Sequence, residues 1–428
     1  MKLNYKRTIL IGLAFMSISA FWQMYDNVVP LILSNSFHLD ETITGAIMAI
    51  DNLLALFLLP LFGTLSDKVK TPWGKRMPFI VTGTVLAVIL LMILPYADNT
   101  RNLPLFIGGL LFVLISMGTY RSPAVALMPD LTPKNLRSRA NAVINLMGAV
   151  GGVYTLIMIS LVVGPGETPN YYPLAIAVAA FMAICVGVLF ITIKENKLHV
   201  ELKDVLDEEV EETPVVDNTK KGSKLPKDVM RSLVFLLLSV AFWFIAYNAV
   251  TTAFSRYASK VWGLENGSYS YCLLIATVAA IISYIPIGSI AAKIGRKKTI
   301  LIGIVLLGGC FFAASLFATY SNAMMVFFCI IGFAWAAIGV NSYPMVVEMA
   351  SAGDVGKYTG LYYTFSMTAQ VITPILSGWL LENVGYRTLF PYSVVFCILA
   401  FITMSQVKHG DSKPEKKANA LDNLDIDD

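Results

Sequence analysis

Charged residues are scarce in this sequence of 428 residues. Lys, Arg, Asp and Glu together make up 14% of it, whereas 56% of the residues are hydrophobic. A soluble domain is usually about 25% charged, and a water-soluble fold of this size has too little interior for so many apolar side chains. The composition therefore indicates a membrane protein. The net charge of +4 is too small to indicate a nucleic-acid partner.

Cysteine is also rare, and its five copies lie apart from one another and from the histidines. They are Cys185, Cys272, Cys310, Cys329 and Cys397. No Cys-x-x-Cys pair or Cys/His cluster exists, so neither a metal site nor a disulfide framework is indicated. The sequence also lacks the phosphate-binding loop of ATPases and any nucleophile–base motif. We therefore expect no enzyme, no cofactor and no transport powered by ATP.

Long hydrophobic runs account for most of the chain. Each of twelve runs is long enough to cross the ~30 Å hydrocarbon core of a bilayer as a helix. The runs are residues 8–33, 43–64, 77–96, 104–128, 140–163, 172–193, 232–257, 269–292, 299–319, 322–347, 358–382 and 388–406. The sequence thus predicts an all-α membrane protein with twelve transmembrane helices.

A single long polar stretch divides these runs into six and six. The predicted organisation is an N-terminal six-helix bundle at 1–193, a cytoplasmic linker at 194–231, a C-terminal six-helix bundle at 232–406 and a cytoplasmic tail at 407–428. The high charge of the linker is typical of a flexible connection.

The positions of the basic residues predict the topology, because Lys and Arg are enriched in cytoplasmic loops. With the N-terminus inside, the predicted outer loops carry only Arg101, Arg256, Lys260 and Arg387 of the 32 basic residues. We therefore expect a multi-pass protein of the cell (inner or plasma) membrane with both termini in the cytoplasm. Membrane lipid is then a necessary partner, and nothing in the sequence indicates more than a monomer.

Two pairs of related motifs indicate an internal repeat. GTLSDKVKTPWGKR (63–76) and GSIAAKIGRKK (288–298) each follow the second span of a half. YRSPAVALMPDLTP (120–133) and NSYPMVVEMASAG (341–353) each close the fourth span of a half and place a proline before an acid. Such parallel repeats predict two pseudo-symmetric bundles, as in secondary transporters.

These motifs resemble those of the major facilitator superfamily. The signature loop G-x-x-x-D-[RK]-x-G-[RK]-[RK] is matched by Gly63, Asp67, Lys68, Gly74, Lys75 and Arg76, with four additional residues before Gly74. The stretches GKRMPFI (74–80), PAVALMPDL (123–131) and RSRANAVINLMGAVGG (137–152) resemble the sucrose-transporter and glycoside–pentoside–hexuronide:cation symporter branch. The resemblance implies the major facilitator fold and a proton-coupled symporter for a disaccharide or other glycoside, working by alternating access.

The sequence departs from that branch at two places. The arginine that sucrose carriers place in the fourth-span motif is Val125 here. Melibiose-type carriers place a pair of acids before the second-span proline, whereas Leu59 precedes Pro60 here. The second departure argues against a sodium site of that kind, so the proton is the expected coupling ion and sodium the alternative.

Three charged residues lie deep inside predicted spans of the N-terminal half, namely Asp26, Asp51 and Arg121. A charge there costs at least ~2.5 kcal/mol, so it is expected to face a cavity or a partner. We predict that one acid exchanges its bond to Arg121 for a proton; the alternative is a permanent structural ion pair. Asp130, at the end of the fourth span, is a coupling residue by resemblance to sucrose carriers and a gate residue by its position.

The remaining candidates form two groups. Acid–base pairs at the cytoplasmic helix ends are predicted to gate the inner side. The gate residues are Gly63, Asp67, Lys75, Arg76, Arg137, Arg139 and Glu348. Polar and aromatic residues inside the spans are predicted to bind the substrate, with helix packing as the alternative. The substrate-binding candidates are Gln23, Asp26, Asn27, Arg121, Trp243, Tyr247, Asn248, Asn341 and Gln370.

Two other functions fit the same sequence. A proton-coupled antiporter for drugs or other small molecules would need a broader, more apolar cavity than the polar candidates indicate. A membrane sensor that does not transport would need an effector domain, and the sequence shows none. The sugar symporter is therefore the preferred hypothesis.

Overall fold

The computed structural model describes residues 3–133, 136–164, 166, 168–198, 200–201, 226–264, 267–349 and 355–411, without the side chains of 137–139, 285, 292, 347, 355–357 and 359. This described part is helical and contains no β-strand; an isolated bridge between Thr71 and Gly74 closes a turn. Helices are expected here, because in hydrocarbon every backbone N–H and C=O must be bonded within the segment.

The helices follow the predicted hydrophobic runs. In the first half they are α1 (Tyr5–Leu31), α2 (Glu41–Met48), α3 (Ile50–Lys68), α4 (Met77–Leu91), α5 (Ile93–Asn99), α6 (Leu103–Asp130), α7 (Arg137–Val162) and α8 (Tyr172–Thr192). In the second half they are α9 (Lys227–Trp262), α10 (Tyr269–Ile294), α11 (Arg296–Ser315), α12 (Ala323–Glu348), α13 (Val355–Asn383) and α14 (Leu389–Ser405). A π-helix (Ile32–Ser36) continues α1.

Polar side chains mark where two of the long helices begin. Asn4 Oδ1 accepts the N–H of Arg7 at 3.1 Å, and Asn102 Oδ1 accepts the N–H of Leu105 at 3.0 Å. Such caps bond N–H groups that the first turn of a helix leaves without a partner. Prolines lie inside α1, α3, α6, α10, α12 and α13. Membrane helices tolerate them because neighbouring groups bond the freed backbone.

Ten helical segments of the described residues are long and apolar enough to cross a membrane. They are Tyr5–Ser36, Glu41–Lys68, Met77–Asn99, Leu103–Asp130, Ala140–Val162, Tyr172–Thr192, Lys227–Trp262, Arg296–Ser315, Ala323–Val346 and Tyr386–Ser405. The other two predicted spans, 269–292 and 358–382, fall on the helices α10 and α13. The chain is therefore a multi-pass helical membrane protein, while the count of twelve spans stays a prediction.

Two compact units make up the chain. Unit 1 contains Met1–Leu39, Ile50–Thr213 and Glu265–Tyr271. In unit 1, α1 packs along α7 and against α8, and α6 packs against α3 and α4. The large side chains of Phe21, Tyr25 and Tyr120 are fully buried there, so helices α1 and α6 supply much of the core of this unit.

Unit 2 contains Asp40–Ala49, Pro214–Leu264 and Cys272–Asp428. Here α9 packs against α13 and α14, and α11 packs against α12 and α14. The short helix α2 belongs to this unit because it lies along α13. A Cβ on Gly45 of α2 would come within 2.0 Å of the carbonyl oxygen of Pro374, so only glycine permits this close approach.

Candidate functional site

The second half of α1 carries three of the predicted site residues, Gln23, Asp26 and Asn27, and next to them Trp22. Trp22, Gln23 and Asp26 are half-buried, and Asn27 is buried. Three residues further on, Pro30 has no N–H to donate to the carbonyl of Asp26, the position one helical turn before it. The π-helix that follows departs again from the α-helical pattern. Local irregularity of this kind is frequent where helices carry function.

The three intramembrane charges come together in unit 1. Asp26 on α1 lies within electrostatic range of Asp51 on α3 and Arg121 on α6, and all three side chains are half-buried. Neither acid forms an ion pair with Arg121 among the described residues. The Arg121 guanidinium instead lies over the ring of Trp22, 5.5 Å from its centroid. Asp51 Oδ1 accepts a hydrogen bond from Asn52 Nδ2 at 2.9 Å.

Polar atoms next to these charges have unused hydrogen-bonding capacity. Asn27 Nδ2 donates to the carbonyl and to Oε1 of Gln23, at 2.9 and 3.2 Å. Within the described part of the chain, Asn27 Oδ1 and Trp22 Nε1 are buried without a hydrogen-bond partner. Because buried polar atoms are normally bonded, a water molecule or a polar solute is the expected partner of both.

Unit 2 holds a second group of predicted substrate residues. The ring of Tyr247 on α9 stacks on Trp335 of α12, with centroids 3.7 Å apart and planes 8° from parallel. Phe244 contacts the same Trp335 edge-on at 5.5 Å. Asn248 Nδ2 is buried without a hydrogen-bond partner among the described residues. The same stretch of α9 thus carries a ring of the stacked aromatic pair and, at the next residue, this buried amide nitrogen.

The other three substrate candidates of this unit differ in their accessibility. Trp243 is only 1% exposed and packs in the core. Asn341 is 2% exposed and donates from Nδ2 to the carbonyl of Ala337 at 2.9 Å. Gln370 is half-buried on α13.

The loop between α3 and α4 forms a network of charges, which we call the signature-loop cluster: Asp67, Lys75, Arg76, Asp130 and Glu195. Arg76 is 5% exposed and donates from Nε to Asp130 Oδ2 at 2.9 Å. Lys75 Nζ lies 3.0 Å from the same oxygen, and Asp67 pairs with the other end of the Arg76 guanidinium. Asp130 is thus bound by two bases of its own unit.

Glu195 binds the main chain of this loop where α4 begins. Its carboxylate accepts the backbone N–H groups of Lys75, Arg76 and Met77 at 2.9–3.1 Å, and the residue is 3% exposed. Arg76 also donates to the carbonyl of Gly63 at 3.3 Å. Sequence reasoning missed Glu195, which follows the last span of the first half; its only signal is an acid just beyond a helix end.

A similar arrangement exists within unit 2. Arg296, at the start of α11, pairs with Glu348 at the end of α12. The backbone N–H of Lys297 donates to Asp411 Oδ1 at 2.7 Å, and Lys297 Nζ donates to the carbonyl of Ser405 at 2.9 Å. Glu348, a predicted gate residue, is therefore tied to the loop before α11 as Asp130 is tied to the loop before α4.

Some predicted residues lie outside the description. The side chains of Arg137 and Arg139, the linker residues 202–225 and the tail residues 412–428 are among them. In the described part of the chain, no three His, Cys, Asp or Glu side chains come together as a metal site would require.

Comparison with known proteins identifies the family. The model of the MFS/sugar transport protein family matches residues 9–408, nearly the whole chain. The chain belongs to this family. It is thus a transporter of the major facilitator superfamily.

Relatives with assigned names match shorter regions of this family member. A sucrose transport protein of Arabidopsis thaliana is 33% identical over 24% of this chain and 23% of its own length. A putative proline/betaine transporter of Staphylococcus haemolyticus is 31% identical over 37% and 34%. A lactose permease of Lactobacillus helveticus is 28% identical over 36% and 27%. The chain therefore matches about a third or less of the length of each of these relatives.

Solved structures share the fold over almost the whole chain. A POT family transporter in complex with 5-aminolevulinic acid has a TM-score of 0.68 at 14% identity, covering 93% of this chain and 94% of the other. A bacterial homolog of the human lysosomal transporter Spinster, in an inward-facing conformation, has a TM-score of 0.67 at 13% identity, covering 95% and 98%. At such identities the likeness concerns the fold alone.

Proposed function

We propose that this transporter is a proton-coupled symporter for a sugar, a disaccharide or other glycoside, and that it works by alternating access. The observation that carries the proposal is the group of Asp26, Asp51 and Arg121 in unit 1, charged residues near one another without an ion pair among them. An acid held in an ion pair stays ionised, whereas an acid without one can take up and release a proton as its surroundings change.

Several features support a sugar as the solute. In unit 1, Trp22 Nε1 and Asn27 Oδ1 offer a donor and an acceptor to hydroxyl groups, and in unit 2 Asn248 Nδ2 offers a donor; each of these atoms is buried without a hydrogen-bond partner among the described residues. The stacked pair of Tyr247 and Trp335 offers a flat apolar surface to a sugar ring. Relatives described as sucrose transport proteins and a lactose permease agree with this choice.

The charge networks at the helix ends fit a gate. Alternating access needs contacts that differ between two states by only a few kcal/mol. An exposed ion pair contributes about 0–1 kcal/mol, so a small network of such pairs lies in that range. The bonds of Lys75 and Arg76 to Asp130 support a gate role for Asp130, and the bond of Arg296 to Glu348 supports the same role for Glu348. The proposal includes a monomer in the cell membrane with both termini in the cytoplasm.

Uptake into liposomes tests this function. Purified protein is reconstituted, and radiolabelled sucrose, lactose and melibiose are supplied with an inward proton gradient, an inward sodium gradient or no gradient. We expect at least one sugar to accumulate under the proton gradient, and a protonophore to abolish the accumulation. If no sugar accumulates under any gradient, the proposal is refuted. If sugar accumulates only under the sodium gradient, the coupling ion is sodium and not the proton.

A second class of solute is a zwitterion such as proline or glycine betaine. It is favoured by the match to the proline/betaine transporters of Staphylococcus haemolyticus and Escherichia coli. The guanidinium of Arg121, which forms no ion pair within the described part of the chain, can bind a carboxylate. The same liposomes, supplied with radiolabelled proline and glycine betaine, separate the two classes.

A further inference from the structure

The start of α10 is anchored in unit 1. Residues 267–271 group with that unit, whereas the preceding helix α9 and the rest of α10 belong to unit 2. Gly267 has a φ of +69°, and a Cβ there would come within 2.6 Å of the carbonyl oxygen of Ile159 on α7. The main chain therefore lies directly against α7 in a conformation that other residues rarely adopt. This anchor fixes the position of the next large side chain, Tyr269.

Tyr269 reaches from this anchor to the candidate site. Its side chain is buried, with 2% exposure, and its hydroxyl donates to the main-chain carbonyl of Asn27 at 3.3 Å. Asn27 follows directly after Asp26, the acid that interacts with both Asp51 and Arg121. A hydroxyl from a distant part of the sequence is thus bonded to the turn of α1 that carries the predicted coupling acid.

This turn of α1 lacks part of the regular hydrogen bonding of an α-helix. Pro30 lacks the N–H that would bond the carbonyl of Asp26, and the chain continues as the π-helix Ile32–Ser36. The side-chain nitrogen of Asn27 is itself occupied, because Nδ2 donates to the carbonyl and to Oε1 of Gln23. A bond to the main chain at Asn27 therefore sets the direction in which Gln23, Asp26 and Asn27 point.

We propose that Tyr269 is a positioning residue of the transport site: its hydroxyl holds the Asp26–Asn27 turn of α1 in the geometry that binds the solute. The inference rests on the proposed function. Tyr269 does not touch the solute in this account; it acts through the main chain of Asn27. Its loss is therefore expected to weaken binding and to leave the maximal turnover largely intact.

The test substitutes Tyr269→Phe, which keeps the buried ring and removes the hydroxyl alone. Uptake of radiolabelled sucrose and lactose is measured in liposomes over a range of sugar concentrations. We expect the apparent KM to rise about 3- to 10-fold, as the loss of one hydrogen bond implies, with a maximal rate within about twofold of the wild type. Gly267→Ala keeps the Tyr269 hydroxyl but displaces the main chain that positions Tyr269 against α7. It is therefore expected to raise the KM in the same way.

Tyr392→Phe is the matched control, because the hydroxyl of Tyr392 in unit 2 is buried without a hydrogen-bond partner among the described residues. Its KM is expected to stay at the wild-type value. A lower maximal rate with unchanged KM in Tyr269→Phe would show a merely structural role and overturn the inference. If Tyr269→Phe does not fold, the same comparison of KM with the maximal rate is made on Gly267→Ala. Absence of uptake by the wild type would refute the proposed function itself, which is a different result.

Discussion

Glu41 and Arg256 form a buried ion pair inside unit 2. Their side chains are 8% and 1% exposed, and Glu41 Oε2 lies 2.5 Å from an Arg256 terminal nitrogen. The hydroxyl of Tyr386 donates to the other carboxylate oxygen of Glu41. The pair joins the first turn of α2 to α9, two helices that are far apart in the sequence. It explains, together with the packing on α13, why α2 belongs to this unit.

Loss of one partner is expected to destabilise the protein strongly. Arg256→Met leaves the Glu41 carboxylate buried without its counter-ion, which costs about 3–5 kcal/mol. The double variant Glu41→Gln/Arg256→Met leaves no buried charge and is expected to recover much of the loss. Thermal unfolding in detergent measures both. Lys197→Gln, at the exposed pair Lys197–Glu201, is the control and is expected to leave the melting temperature unchanged; equal losses in the single and double variants would contradict the prediction.

Asp26 and Asp51 are predicted to couple sugar transport to the proton gradient, so their neutral variants should lose this coupling and keep sugar transport. Asp26→Asn or Asp51→Asn removes a group that binds the proton but leaves a polar side chain of the same size. We expect at least one of these variants to exchange labelled for unlabelled sugar across liposomes and to lose accumulation under a proton gradient. Asp98→Asn is the control, because Asp98 is a buried acid of the same unit that pairs with Arg101. Normal accumulation by both variants would remove the two acids from coupling.

The stacked rings of unit 2 are predicted to contribute to sugar affinity. Trp335→Leu removes the surface on which Tyr247 stacks. Aromatic contacts contribute about 0.5–1.5 kcal/mol, so the KM for the sugar is expected to rise about 2- to 10-fold. Phe181→Leu is the matched control, since Phe181 stacks on Tyr154 with similar geometry in unit 1. An equal rise in both variants would point to a general effect on packing.

Glu195 is predicted to hold the signature-loop cluster in place. Glu195→Ala removes the acceptor of the N–H groups of Lys75, Arg76 and Met77. These amides are expected to exchange hydrogen for deuterium at least tenfold faster than in the wild type, because an unbonded amide loses its protection. Asp411→Ala provides the comparison: it should expose the amide of Lys297 and leave the loop before α4 unchanged. Unchanged exchange at 75–77 in Glu195→Ala would show that other contacts fix this loop.

Much of the fold can be predicted from the sequence because apolar runs in a membrane must become helices. The gate candidates Asp67, Lys75 and Arg76 lie in one network with Asp130, the coupling or gate candidate, while their role in gating stays a prediction. These residues lie in loop motifs next to helix ends. A charged residue there stands out from the apolar sequence, and the adjacent helix restricts its position.

Contacts that depend on tertiary packing were not predictable in this way. Arg256 counts as an outer-loop base in the sequence, yet it lies in α9 and is buried against Glu41. Arg121 lies over the ring of Trp22, within electrostatic range of Asp26 and Asp51, and the exchange of an acid–Arg121 bond for a proton stays a prediction. Tyr269 and Glu195 act on main-chain atoms, and no residue pattern identifies a main-chain acceptor. A single sequence specifies which groups are available, whereas helix packing decides which of them meet.

The most direct test of the account is the movement of protons that accompanies the sugar. Liposomes containing the purified protein and an internal pH-sensitive dye, without any imposed gradient, receive sucrose or lactose from outside. The account predicts that the interior becomes acidic as the transported sugar enters, and that Asp26→Asn or Asp51→Asn abolishes this acidification while sugar exchange continues. Entry of labelled sugar with no change of internal pH in the wild type would contradict it.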